Sequence, residues 1–272
     1  MRLISIFFFI STITAFGQGW ADYPVKSLDT VKHIITYSYQ YEEDSLPPHF
    51  AKQEDMWLLL GIEVSLFLSK NLYHFEKQMR EISGRAELQN HLDQQSTIIP
   101  KFSFRLFKYP VNEKLVYRGY VPPNHFEYAE PLDMFEWNLT KDTDTILGYP
   151  VQKAICDFGG RKWVAWFSPN ISYSDGPYKF NGLPGLILQV HDTQNYFQFE
   201  AVSVERPSKE IPIESLERGY IETTKSAFFK AKDNFRKNMA EWAKRRGGGQ
   251  KAQQNARRIS KRYNNPIELR GN

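Results

Sequence analysis

The sequence predicts an α+β protein built mainly from a curved antiparallel β-sheet, a meander or open-barrel-like sheet, with an inserted helix and a C-terminal amphipathic helical arm. Three observations carry this. Between Phe102 and Val204, short runs of β-branched and aromatic residues follow one another with turn residues between them, the pattern of antiparallel strands. Strand-type and helix-type segments do not alternate, so a parallel βαβ layout is not expected. Two segments, 71–93 and 223–246, switch to helical spacing. With 272 residues, 41% of them apolar and 15% aromatic, the chain is long enough to bury a sizeable core.

The elements follow in order. MRLISIFFFISTITAFGQGW carries a cation at Arg2, an apolar run from Ile4 to Ile10, and small residues at Ala15 and Gly17. That layout predicts a signal peptide over 1–17, because the apolar run is too short for a membrane span. A β-rich domain is expected over 18–224 and a basic helical arm over 225–272. HIITYSYQYEED places Ile35, Tyr37, Tyr39 and Tyr41 at period two, a strand with one aromatic face. Met56 to Ser69 reads as a strand or strand pair near Gly61. Leu72, Phe75, Met79 and Ile82 then keep helical spacing as far as Gly84. Six strand signals lie between Phe102 and Pro169, and GLILQV and YFQFEAVSV flank HDTQN as a further hairpin. The count is roughly eight to ten strands. In the arm, Phe228, Ala231, Phe235, Met239 and Trp242 share one helical face before Gly247-Gly248-Gly249, a hinge.

Charge divides the chain. From Lys225 to Arg270 there are fourteen Lys or Arg against three acids, within a molecule whose formal net charge is +4. The body is therefore acidic and the arm basic. Such an arm suits an anionic lipid surface or the protein's own acidic body, or else is an ordinary helix that packs its Phe-Met-Trp face on the sheet with its charges solvated; export argues against nucleic acid as a partner. Cys156 is the single cysteine, so no internal disulfide is available and it reads as a small buried hydrophobe. The six histidines stand far apart without ligand spacing, and no metal or cofactor is expected.

Gly176 to Val190, GPYKFNGLPGLILQV, concentrates the turn chemistry. Pro184 followed by Gly185 predicts a type II turn over Leu183 to Leu186 that feeds a strand. The stretch lacks the spacing of a phosphate loop. From Gly160 to Val190 the sequence resembles the GLPGLI family, exported Bacteroidetes proteins without an established activity. The resemblance rests on Gly148-Tyr149, Lys153-Ala154, Gly160-Arg161, Trp163, Ala165-Trp166-Phe167, Pro169, Gly176-Pro177 and Gly182 to Ile187, and extends more weakly to the early ITYSYQY and the closing NPIEL. It implies the periplasm or cell surface of a Gram-negative bacterium and brings no catalytic residues. Many such proteins place a cysteine at the position of Val151, so a redox role does not carry over to Cys156.

The candidate ligand-binding residues are Arg161, Trp163, Trp166, Tyr178, Lys179, His191 and Asp192, aromatic faces beside cations suited to a sugar ring or a carboxylate-bearing peptide. The pleat permits a structural reading in which Trp163 and Phe167 enter the core. The function expected is a non-catalytic envelope protein binding a peptide, a glycan or another envelope protein, with exposed Trp166 and Tyr178. The alternatives are a hydrolase using carboxylates such as Asp157, Asp175 and Asp192, and a purely structural component.

Overall fold

The computed structural model describes residues 23–45, 51–81, 100–245, 247–262 and 264–269. The leader read over 1–17 and the helix break at Gly84 lie outside the described residues. The strands are β1 Val25–Thr30, β2 His33–Tyr41, β3 Lys52–Leu60, β4 Ser65–Ser69, β5 Arg105–Tyr109, β6 Lys114–Val121 and β7 Asn124–Pro131, then β8 Asn138–Ile146, β9 Tyr149–Phe158, β10 Arg161–Ser168, β11 Leu186–Asp192, β12 Phe197–Glu205, β13 Pro212–Leu216 and β14 Ile221–Glu222. The helices are α1 Lys70–Glu81, α2 Lys225–Lys237, α3 Met239–Arg245 and α4 Gln250–Arg262.

Twelve strands form one sheet in the order β14-β7-β6-β5-β4-β3-β2-β12-β11-β10-β9-β8, and β1 pairs with β13 in a separate ribbon. The expected single meander is thus two, β2 to β7 and β8 to β12, joined where β2 pairs antiparallel with β12. The sheet does not close: β8 and β14 are its edges. It is also not wholly antiparallel, since β14 runs parallel to β7. At the seam Tyr39 of β2 lies flat on Phe199 of β12, with ring centroids 4.1 Å apart. The period-two tyrosines therefore specify which face of β2 enters the core.

That face carries the larger core, which includes Tyr37, Met56, Phe67, Leu106, Trp163 and Phe199. The segment 169–185 folds over it and adds Tyr178, Phe180 and Leu183, while α2 inserts Phe228 against Tyr117 and Tyr128. Gly119 makes room there, since a Cβ would sit 2.8 Å from the Phe228 ring. On the opposite face a smaller core of Ile34, Leu59, Leu66, Leu68, Phe107 and Val116 lies under Ile213 of the β1–β13 ribbon. Helix α1 buries Leu72, Phe75 and Met79, as its spacing predicts, and Ser69 Oγ accepts from the Leu72 N–H at 3.1 Å to cap it. Over β9 to β12, and the ends of β2 and β3 beyond the ribbon, that second face is half-exposed or exposed. No described helix is long and apolar enough to cross a membrane.

Candidate functional site

The segment between β10 and β11 is fastened to the core. The buried Lys108 Nζ donates to Asp175 Oδ1 at 2.6 Å, to the Gly176 carbonyl at 2.6 Å and to the Phe180 carbonyl at 3.2 Å. Ser65 Oγ donates to the other Asp175 oxygen at 2.5 Å. One side chain thereby satisfies carbonyls that no strand pairs. Burial pulls the Lys108 ammonium below its ordinary range, and the Asp175 carboxylate opposes this.

The turn differs from the type II geometry. The Gly185 N–H donates to the Leu183 carbonyl at 2.8 Å, a three-residue turn centred on Pro184, and the Leu186 N–H goes to Ile171 instead. Gly185 has φ +150°, and a Cβ there would lie 2.1 Å from the Ser168 carbonyl oxygen. Glycine is required by this close crossing as much as by the turn.

The seven candidate residues do not share one surface. Trp163 is fully buried and its indole N–H donates to the Phe158 carbonyl at 3.0 Å. Buried Arg161 pairs with buried Asp192 at 3.0 Å. Tyr178 and Lys179 are buried together: the Tyr178 hydroxyl donates to Glu268 at 2.5 Å, and Lys179 pairs with Glu268 at 2.8 Å and with Glu130. Burial drives the Tyr178 phenol well above its ordinary range. The exposure expected for Tyr178 is therefore corrected, because 176–181 plugs the core. Trp166 and His191 remain at the surface, on the other face of the sheet. The alternation of β10 and β11 sends Trp163 and Asp192 one way and Trp166 and His191 the other, so sequence proximity did not mean a shared site.

The strand registers assemble Trp166 and His191 into two parallel rows. In the first, Lys153 faces Trp166, which faces Gln189, then Glu200, Ser38 and Asp55. In the second, Ile155 faces Val164, then His191, Gln198, Gln40 and Gln53. All twelve side chains are half-buried or exposed. Six strands at about 4.8 Å spacing make each row roughly 24 Å long. Lys153 Nζ sits 5.9 Å from the Trp166 ring centroid and is held by Asp142 at 3.0 Å. Gln53 Nε2 donates to Ser38 Oγ at 2.8 Å. Of this face, only Trp166 and His191 were named from sequence. Gln189, Gln198, Gln40 and Gln53 come from four strands whose pairing no local pattern announces.

The remaining chemistry is committed elsewhere. Cys156 is buried, with its thiol pushed up to about 12 by burial and by Asp157, so it packs as a hydrophobe. A cysteine at position 151 would lie on the same strand, about 16 Å away and out of disulfide reach. Asp175 and Asp192 each neutralise a buried cation. Among the described residues no three His, Cys, Asp or Glu side chains stand together as a metal site.

Residues 160–189 match a family described as Porph_ging, protein of unknown function. No curated protein matches the chain. Among solved structures, PNGF-II in a P21 crystal form superposes with a TM-score of 0.50 and 16% identity over 75% of this chain and 33% of its own. The C2 form of PNGF-II gives 0.48 and 18% over 76% and 32%. A domain described as an outer membrane lipoprotein-sorting protein, from Vibrio parahaemolyticus, gives 0.29 and 8% over 75% and 92%. The chain spans about a third of the length of PNGF-II, and at this identity the likeness is one of fold: a sheet-dominated α+β protein similar to part of PNGF-II, with a segment at 160–189 similar to an uncharacterised family.

Proposed function

We propose that the protein is a non-catalytic envelope protein, exported by the leader read over 1–17, that binds an extended glycan across the open face of the sheet. The observation that carries this is the pair of cross-strand rows, in which one half-exposed tryptophan stands among four glutamines, a serine and a histidine. An indole face stacks on a sugar ring, and primary amides donate and accept at once, as hydroxyl pairs require. The row carries Lys153 against Glu200 and Asp55, so no single-sign field selects a strongly charged polymer. A peptide would be recognised by an unpaired strand edge or an apolar groove, and this face offers paired strands.

The hydrolase alternative is less well supported, because Asp175 and Asp192, two of the three carboxylates it would draw on, are buried in ion pairs. The basic arm turns most of its described Lys and Arg side chains outward, which suits an anionic lipid surface and would set where the protein sits.

The test is affinity electrophoresis through gels containing soluble envelope or plant polysaccharides, for the wild type, Trp166→Ala and Gln198→Ala. Retardation by a neutral glycan that both substitutions reduce, with melting unchanged, is the expected result. No retardation by any glycan, or retardation indifferent to both substitutions, would overturn the reading.

A further inference from the structure

The body of the protein contains a groove fitted to a six-residue segment, and the chain's own residues 264–269, Asn-Asn-Pro-Ile-Glu-Leu, occupy it. The contacts run the length of the segment. The N–H groups of Asn264 and Asn265 both donate to the Glu43 carbonyl at 3.1 Å, and Asn265 Nδ2 donates to the Glu42 carbonyl at 2.7 Å. Arg161 donates through Nη2 to Asn265 Oδ1 and to the Pro266 carbonyl at 2.9 Å, and through Nε to the Ile267 carbonyl at 3.2 Å. The Glu268 carboxylate receives Tyr178 at 2.5 Å, Lys179 at 2.8 Å and Lys225 at 2.6 Å. The Leu269 N–H closes on the Gly159 carbonyl at 2.7 Å. The floor is the Gly159-Gly160 turn, both at positive φ, where a Cβ would meet Glu268 at 3.0 Å and Leu269 at 3.1 Å.

Two features set this apart from a chain end packed as ordinary core. First, each cation that grips the segment also holds a carboxylate belonging to the sheet: Arg161 has Asp192 at 3.0 Å, Lys225 has Glu130 at 2.9 Å, and Lys179 has Glu130 as well. When the segment leaves, no buried cation is stranded, which is the circumstance that makes breaking a buried ion pair so costly. Second, the tether to the body is light. Helix α4 packs on α3, where the Gly248 N–H donates to the Ala243 carbonyl at 2.8 Å, and of the described side chains of α4 Ala256 alone is buried.

We propose that this groove is a peptide-binding site that reads an Asn-Pro-x-Glu segment, and that residues 264–269 of a second copy of this chain occupy it in exchange for the copy's own. The Asn265 amide and the Glu268 carboxylate are read by side chains, so the same sequence is the best complement, and exchange of an identical element costs little because the contacts are conserved. This rests on the tail contacts alone and is independent of the glycan reading.

The test uses the full chain carrying Glu268→Gln, whose own tail is weakened, and a fluorescent hexapeptide of residues 264–269. The expected result is binding by anisotropy, roughly tenfold weaker or more to the wild-type chain, whose tail competes, and to neither chain by a peptide with the Glu268→Gln change. Should the variant chain not fold alone, recovery of its far-UV circular dichroism on adding the hexapeptide is the same result. A folded variant that ignores the hexapeptide, or an unfolded one that it does not recover, overturns the site. For exchange, light scattering on the full chain lacking Gly247–Gly249 is expected to show a dimer that grows with concentration; a monomer at every concentration overturns it.

Discussion

At the scale of single residues, the clearest contrast lies between two glycines three positions apart. Gly185 combines φ +150° with a carbonyl oxygen 2.1 Å from where a Cβ would be, whereas the nearest side chain to a Cβ at Gly182, with φ +88°, is Trp137 at 3.8 Å. Gly185→Ala should therefore cost about 3 kcal/mol or more, through backbone displacement, and Gly182→Ala about 1 kcal/mol, through φ alone. Denaturant titration of both variants measures the difference. Trp163 and Trp166 make a second contrast. Trp163→Ala should cost about 3 to 5 kcal/mol as a fully buried ring, and Trp166→Ala under about 1 kcal/mol, its effect falling on binding. Glu268 adds a pH dependence. Burial raises its carboxyl, but Lys179 and Lys225 more than offset this and hold it below the ordinary range. The unfolded chain takes up that proton near pH ~4.3 while the folded chain resists it. Its contribution is therefore complete above that pH and lost as pH falls through the lower folded value. Melting temperatures from pH 6 to 3 should drop more steeply for wild type than for Glu268→Gln.

At the scale of elements, legibility tracked burial. The strands with one face in a core, β2, β9, β10, β11 and β12, show in the sequence as alternation or apolar runs, because burial on one side imposes a period of two. β8 does not: NLTKDTDTI is a sheet edge with both faces wet, so its residues carry no alternation, and the apparent strand signal in MFEWNLT overlaps only its first three residues, Asn138 to Thr140. β14, with two residues, was too short to register. Helix α2 was legible from its apolar stripe, and its attachment comes down mainly to Phe228, packed among Tyr117, Phe126 and Tyr128. Phe228→Ala should cost about 3 to 5 kcal/mol and open the helix locally. Hydrogen exchange would show this as α2 amides losing protection while β2 and β12 keep theirs; uniform loss would mean that α2 belongs to the global folding unit.

At the scale of the whole molecule, the decisive feature is the seam. β2 and β12 are far apart in sequence, yet their pairing makes one sheet of two meanders and stacks Tyr39 on Phe199. The two halves share one core and should unfold together. Phe199→Ala is expected to lower the midpoint while leaving circular dichroism and tryptophan fluorescence transitions coincident; two separated transitions would show halves that fold independently. The sequence by itself determined the fold class, the inserted and C-terminal helices, the structural character of the Pro184-Gly185 turn, and which residues carry interesting chemistry, because these depend on local periodicity and backbone preference. Only the tertiary structure decided that Arg161, Tyr178, Lys179 and Asp192 face inward to hold the chain's own tail, and that Trp166 and His191 face outward among glutamines from other strands. Those outcomes rest on strand register and on contacts between residues 31 to 106 positions apart, and neither leaves a mark in any short window of sequence.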